Sequence, residues 1–520
     1  MKKPVISLCM IVKNEADCLP RCLQSVKDIA DEIIIVDTGS TDETVKVAKN
    51  FGAQVIMAPW QGDFSQARNA GLNRARGTWI LFLDADEELD ADDKEQLRIC
   101  SEHLEFEGFF LQVHNHSGET LHSPTATVNP ILRMFRNRPE YRFRGYIHEQ
   151  IVSSILDRQP NAAFHITAVK IHHYGYAGTA VANKDKIRRN LQLLEKALAE
   201  HPNDPFHHYN IAVEYMRMND WYAALQHLRE SLSVVPPGTS YIHLLYKYIA
   251  RCHFHLGNNR EAIEACDQGI TFFPDYTDLY HLKGTVLLAS NLKQEAKETY
   301  LIALQKGPAP LIYHTDAGTG TYLSAFALGQ ICEELGDDRS AIHWYGEAIR
   351  HHPRWAAPLM KIIRVMKCAH QENELPELLI KRFLPHWKEA TMLVVKALIE
   401  ENCFLAASVL EASISKHSIS ATKSDNTSDG SGVMFPVIET DLVIKDALLN
   451  RETGKALKLL KPWLSNPLSS PDTLTEEAYR KSRTLLSMAD AHLHHVTHSS
   501  PRFSVYRRAR YTLPLPKLEF

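Results

Sequence analysis

The sequence predicts an α/β domain at the N-terminus followed by an all-α array of helical repeats. Three observations carry this reading. Short β-branched runs alternate with helical stretches through the first hundred residues, strands disappear after about Asn203, and the helical remainder shows internal similarity that closes on prolines.

The strand-like runs are Val5–Val12, Ile33–Val36, Gln54–Met57 and Trp79–Leu83. Their alternation with helices marks a parallel sheet covered on its faces, and such sheets bind ligands at the carboxyl ends of their strands. The first run follows Met1, Lys2, Lys3 and Pro4 and so imitates a signal peptide. It is short, lacks a small-residue cleavage site and passes straight into Lys13, Asn14 and Glu15, which favours a buried first strand. No stretch of about twenty apolar residues is free of charge, so no transmembrane helix is expected.

The repeats begin with Tyr209 to Ala212, Trp221 to Leu225 and Pro236, and recur through Gly257 to Ile263 with Pro274, Gly284 with Glu295 to Ala296 and Pro308, and Gly336 to Ile342 with Pro353. The closing prolines lie 38, 34 and 45 residues apart, the last interval holding an insertion around Gly307–Thr321. The pattern resembles the tetratricopeptide repeat, a helix-turn-helix unit of about 34 residues. Tyr209, Tyr215, Trp221 and Tyr222 read as repeat core. These patterns give a domain at 1–180, a connecting helix at 181–202, the array at 203–370 and a degenerate helical region at 371–520. Within that last region Ser413–Gly432 has the composition of a flexible loop, and a basic tail follows Arg502.

With 520 residues the chain is long enough for two or three domains. A net charge of −4 provides no basic field for nucleic acid or an anionic membrane. Nine scattered cysteines without CxxC pairs fit a reduced, cytoplasmic protein.

Chemistry concentrates at the strand ends. Asp37 closes a strand before Thr38, Gly39, Ser40, Thr41 and Asp42, where Ser40 and Glu43 have capping-box spacing. A carboxylate in that position can accept the imide hydrogen of a uracil, or it can simply precede a capped helix. Leu81, Phe82 and Leu83 drive a strand into the core and deliver Asp84, Ala85 and Asp86 at its end, hard oxygen ligands for Mg²⁺ or Mn²⁺ beside a diphosphate. Alone, the same residues would serve equally well as a solvated loop.

Taken in order, Ile11 to Glu15, Asp37 to Asp42, Ala67 to Gly71 and Asp84 to Glu87 resemble the family 2 glycosyltransferases of the GT-A fold, over roughly Pro4 to Ala177. The resemblance implies that Ile11, Lys13 and Glu15 line the nucleoside, Asp37 contacts the base, and Arg68 lies near the diphosphate. Asp84, with Ala85 beside it, faces the ribose or a metal-bound water, and Asp86 is the direct metal ligand. It also implies a base in the segment Arg144 to Glu149. Glu149 is the candidate and His148 the alternative, while an ion pair of Glu149 with Arg142 or Arg144 is the plainer role. His173, favoured over His172, either completes the metal shell or packs; Arg133 and Arg136 either orient an acceptor or flank the sheet.

The whole layout is similar to the peptide S-glycosyltransferases of sublancin-type bacteriocins. It implies an inverting, metal-assisted enzyme that moves a sugar from a UDP-sugar to a peptide, protein or cell-surface glycan. The helical domain would hold the acceptor or form a homodimer. The alternative is an inactive transferase-like scaffold whose repeats bind a protein partner.

Overall fold

The computed structural model describes residues 5–116, 126–174, 180–369, 371 and 374–379, with isolated positions between 394 and 410. The expected loop at 413–432, the later helical segment and the basic tail lie outside the described residues. The chain falls into two compact units, one running to Ser324 and one starting at Ala325.

In the first unit, the α/β part contains β1 (Ile6–Val12), α1 (Leu19–Ser25), β2 (Glu32–Asp37), α2 (Thr44–Asn50), β3 (Gln54–Met57), α3 (Phe64–Leu72), β4 (Trp79–Phe82), β5 (Glu87–Leu89), α4 (Lys94–Cys100), β6 (Gly108–His116), β7 (Ala126–Arg136), α5 (Val152–Arg158) and β8 (Phe164–His173). The sheet order is β3-β2-β1-β4-β7-β6-β8-β5. All four strands expected from the sequence are present and parallel. The rest of the sheet corrects the expectation of a purely parallel one: β7 runs antiparallel to β4 and β6, and β8 is parallel to β6. Alternate β1 residues supply the sheet's two cores: Ile6, Leu8, Met10 and Val12 pack with Leu19 and Leu23 on one face, while Cys9 joins Ile34, Leu72 and Phe82 on the other. From β1 the chain winds outward through β2 and β3, then returns to place β4 on the other side of β1. That reversal opens a crevice at the carboxyl ends of β1, β2 and β4.

The helices of this unit are α6 (Ala180–Glu200), α7 (Pro205–Arg217), α8 (Trp221–Val234), α9 (Ile242–His255), α10 (Asn259–Phe272), α11 (Thr277–Ala289) and α12 (Lys293–Lys306). The second unit contains most of α13 (Tyr322–Glu334), with α14 (Asp338–His351), α15 (Ala356–Cys368) and the short α16 (Leu375–Leu378). The turn within each helix pair uses one device. A left-handed residue, Asn219, Gly257, Asn291 or Gly336, ends the first helix, and the next residue starts the second. Small residues recur where the paired helices cross. A Cβ at Gly284 would lie 2.9 Å from the Tyr300 ring, and one at Gly329 would lie 2.5 Å from that of Tyr345. These are tetratricopeptide-like pairs, and their repeated glycine-aromatic contacts explain the sequence similarity.

The insertion at 307–321 carries a two-residue strand, β9 (Thr315–Asp316), which pairs antiparallel with Thr127 and Val128 of β7. Beneath it, Lys247 of α9 contacts Asp278 of α11 at 2.6 Å and Asp316 at 2.9 Å. Asp278 Oδ2 also accepts the Asp316 amide at 2.8 Å, and its Oδ1 accepts the Thr319 hydroxyl at 2.6 Å. Lys247 and Asp278 are both buried. Breaking such a pair strands a buried charge, so Asp278→Ala is expected to cost about 3–5 kcal/mol. The midpoint of urea unfolding, followed by far-UV circular dichroism, measures it.

Candidate active site

Three strand-end loops meet in the crevice and are laced together. After β1, Asn14 adopts a left-handed backbone, φ 57°. Its amide donates to Ser40 Oγ at 2.9 Å, and its side-chain oxygen accepts the Thr41 amide at 2.7 Å. The Glu15 amide donates to Thr44 Oγ1 at 2.8 Å. Ser40 therefore does not cap α2, as its spacing suggested; Glu43 stands at that N-cap without a side-chain bond. The hydroxyl is committed across the crevice to β1's loop.

Asp37, fully buried at the end of β2, accepts the amides of Gly39 and Ser40 on Oδ1, each at 2.9 Å. Its Oδ2 is buried and has no partner among the described residues. An unmet carboxylate oxygen in the interior is costly, and it leaves an acceptor available beside the switch point. Ile11 lies in β1 with its side chain against the core, whereas Lys13 is exposed.

After β4, two arginines fix Asp84. Arg68, on α3, donates to Oδ1 at 3.3 Å, and Arg133, on β7, donates to Oδ2 at 3.3 Å. Against the upward push of burial, Arg68, Arg133 and His173 hold the Asp84 carboxyl below the usual carboxylate range. Arg133 also meets Glu87 at 2.5 Å, and Glu87 Oε2 accepts the Asp84 amide at 3.0 Å. Glu87 is 1% exposed, and burial drives its pKa upward despite Arg133. Glu87 and Arg133 thus build the turn that aims Asp84, a role the sequence reading missed. A charged residue between Leu132 and Met134 in a buried strand was the available signal, since such a charge needs a partner. Ala85 is buried in the core beneath this turn.

Asp86 and His173 come together. His173 Nε2 lies 3.1 Å from Asp86 Oδ2, while its Nδ1 lies 2.7 Å from Asn115 Oδ1. The pairing of β5 with β8 sets Glu87 opposite His173 and Glu88 opposite His172, so the two histidines face opposite sides of the sheet. His172 instead meets Asp90 at 2.8 Å and His116 at 3.0 Å. The geometry thus groups His173, and not His172, with Asp86. Among the described residues no set of three or more His, Cys, Asp or Glu side chains is arranged to hold a metal ion.

Glu15 faces this acidic floor. Burial first, then the charges of Asp86, Asp84 and Asp42, push its carboxyl up to about 7, with Lys186 opposing. A carboxyl whose folded pKa exceeds its unfolded value favours the folded state when protonated, so this contribution falls as pH rises from about 4.5 through 7. Glu15→Gln is therefore expected to raise the thermal midpoint of the metal-free protein by about 1–2 °C at pH 8 and to leave it unchanged at pH 4.5. Differential scanning calorimetry at the two pH values checks this.

Arg68 links the acidic floor to Glu149. Its Nε donates to Glu149 Oε1, and its guanidinium carbon lies 3.9 Å from the centre of the Phe82 ring and 5.5 Å from that of Phe143. Its Nη1 is buried without a partner among the described residues. The ion pair of Glu149 is therefore with Arg68; Arg144 pairs with Asp157 at 2.5 Å, and Arg142 donates to Asn73 at 3.1 Å. His148 has a left-handed backbone, φ 52°. Desolvation lowers its imidazole pKa to about 4, with Arg217, His207 and Lys186 adding to the shift and Glu214 opposing it.

Residues 7–155 match the family described as Glycosyl transferase family 2. A TPR repeat-containing protein of Synechococcus elongatus is 34% identical over 297 residues, which take in 56% of this chain and 71% of that protein. The chain belongs to glycosyl transferase family 2. Similarity also extends to the SPbeta prophage-derived glycosyltransferase SunS of Bacillus subtilis, 29% identical over 292 residues covering 55% of this chain and 67% of that one. Among solved structures, S. aureus TarS 1–349 in complex with UDP-GlcNAc is 14% identical with a TM-score of 0.32, over 51% of this chain and 92% of that chain. This family 2 glycosyltransferase is an enzyme with tetratricopeptide-like helices after its catalytic domain. The family match spans the site from β1 to Glu149 and ends within α5, before α6 begins.

Proposed function

We propose that this glycosyltransferase moves a sugar from a UDP-sugar to a peptide, protein or cell-surface glycan, with inversion at the anomeric carbon and with Mg²⁺ or Mn²⁺ as helper. The observation that carries the reading is one crevice holding an unmet acceptor, Asp37 Oδ2, an unmet cationic donor, Arg68 Nη1, and the Asp86–His173 pair. A uracil imide suits the first and a diphosphate the second. The chemistry of the remaining pair suits a hard cation that keeps waters and diphosphate oxygens in most of its coordination positions and takes only one or two protein ligands. Asn115 on Nδ1 orients His173 Nε2 toward Asp86, as an outer-shell partner does.

When bound, the cation supplies Lewis-acid stabilisation of the negative charge that builds on the diphosphate. Asp86 and His173 would hold it. Asp84, pinned by Arg68 and Arg133, keeps a fixed negative charge toward the ribose side, and Arg68 offers its free Nη1 to the phosphates. Glu149 takes the acceptor's proton as the acceptor attacks; its bond to Arg68 holds the carboxylate in place. A thiol, hydroxyl or amide acceptor is compatible with this scheme, and the resemblance to peptide S-glycosyltransferases favours a peptide.

Titration with UDP, followed by incubation with UDP-glucose, UDP-N-acetylglucosamine and UDP-galactose in Mn²⁺ or EDTA, tests the reading. UDP binding with Mn²⁺-stimulated release of UDP from one sugar nucleotide is expected. Failure to bind UDP or to cleave any of the three under either condition overturns it.

A further inference from the structure

The loop that carries Glu149 is held from two directions. Arg144 and Gln150 close it by exchanging backbone bonds of 3.0 and 2.9 Å. From the catalytic side, Ser65 Oγ donates to the Gly145 carbonyl at 2.6 Å, and the Phe64 amide donates to the Tyr146 carbonyl at 3.0 Å. From the helical side, Ile147 is buried against Leu194 of α6 and Ile211 of α7, both almost fully buried. Tyr146 adds a hydroxyl bond to Glu200 at 3.0 Å, and the Lys196 ammonium lies 4.0 Å from its ring centre.

Within this loop the direction of each side chain follows from the backbone. Gly145, φ 104°, and His148, φ 52°, both stand in the left-handed region, which a non-glycine residue adopts only when its surroundings impose it. The turn at His148 separates Ile147, whose side chain enters the helical core, from Glu149, whose side chain reaches Arg68. Seating Ile147 on α6 and α7 therefore sets where the Glu149 carboxylate lies. The helices that provide the seat fall beyond the segment matched by the family.

Resting on the reading of Glu149 as the base, we propose that Ile147 is a positioning residue through which α6 and α7 place the Glu149 carboxylate, making the helical array a working part of the catalytic centre. A displacement of about 1 Å at a reacting group costs on the order of 100-fold in rate, and truncating Ile147 or its seat leaves a void into which the loop can shift.

The test uses the full chain and measures UDP affinity and UDP-sugar turnover for Ile147→Ala, Ile147→Val, Leu194→Ala, Glu149→Gln and the Ile147→Ala/Glu149→Gln pair. Ile147→Ala and Leu194→Ala are expected to lower turnover about 10- to 100-fold with UDP affinity within about twofold of wild type, Ile147→Val restoring most of the rate. Because Ile147 acts through Glu149, adding Ile147→Ala to Glu149→Gln should cost almost nothing further. Hydrogen exchange at 144–150 should quicken in both alanine variants.

Turnover within threefold of wild type in Ile147→Ala and Leu194→Ala overturns the proposal while leaving the base assignment standing. A parallel loss of UDP affinity, or full additivity with Glu149→Gln, overturns it in favour of a purely structural role. Undiminished turnover in Glu149→Gln removes the base assignment, and this proposal with it.

Discussion

Glu149→Gln is expected to cut transfer to a hydroxyl acceptor by about 10²–10⁴-fold, the span typical of a lost general base, while UDP affinity stays within a few-fold of wild type. The amide preserves the shape of the carboxylate and can still offer an oxygen to Arg68 Nε, so Arg68 keeps its place against Phe82 and its bond to Asp84. Removal of the proton acceptor is then separated from collapse of the donor site. A thiol acceptor, partly ionised at neutral pH, should lose less. Comparing a cysteine peptide with its serine counterpart measures the difference, and equal, undiminished rates on both would exclude Glu149 as base.

Asp86→Ala is expected to lower turnover about 10²–10³-fold, as for loss of one group that stabilises developing charge, and to remove the response to Mn²⁺. The fold should tolerate the change, because Asp86 is partly exposed and its carboxylate is turned to His173. Its carbonyl, which accepts the Tyr174 amide at 3.2 Å, is retained. Activity titrated with Mn²⁺ in wild type and variant, alongside thermal midpoints, checks both parts. An unchanged Mn²⁺ response would remove Asp86 as ligand.

The strand-end part of this site was legible because strand-end chemistry is local. An apolar run drives each strand inward and its first polar residues must emerge at the crevice, so Asp37, Asp84 and Asp86 could be placed there from their neighbours in the chain. The surroundings of Glu149 were less legible, since they depend on distant pairings. That Glu149 meets Arg68 rather than Arg142 or Arg144 follows from α3 passing under the 144–150 loop, which no spacing reports. Ser40 shows how a local rule fails: its capping-box spacing is genuine, yet Asn14 claims the hydroxyl. The mixed half of the sheet escaped for the same reason as β9. Strand direction there is decided by which edge a returning segment finds, and two residues of β9 leave no periodicity to read.

The insertion at 307–321 has a consequence for building hybrid enzymes. Its backbone completes an edge of the catalytic sheet, while the side chain of Asp316 neutralises a lysine inside the helices. The sheet thus contains a part supplied by the helical array, and Asp316 ties that part back to the helices. A chimera that exchanged the helices of two relatives at the end of β8 would take away a piece of its host's sheet and install one made for a different edge. Interchangeable helical modules would have to be cut so that residues 126–128 and 307–321 travel together.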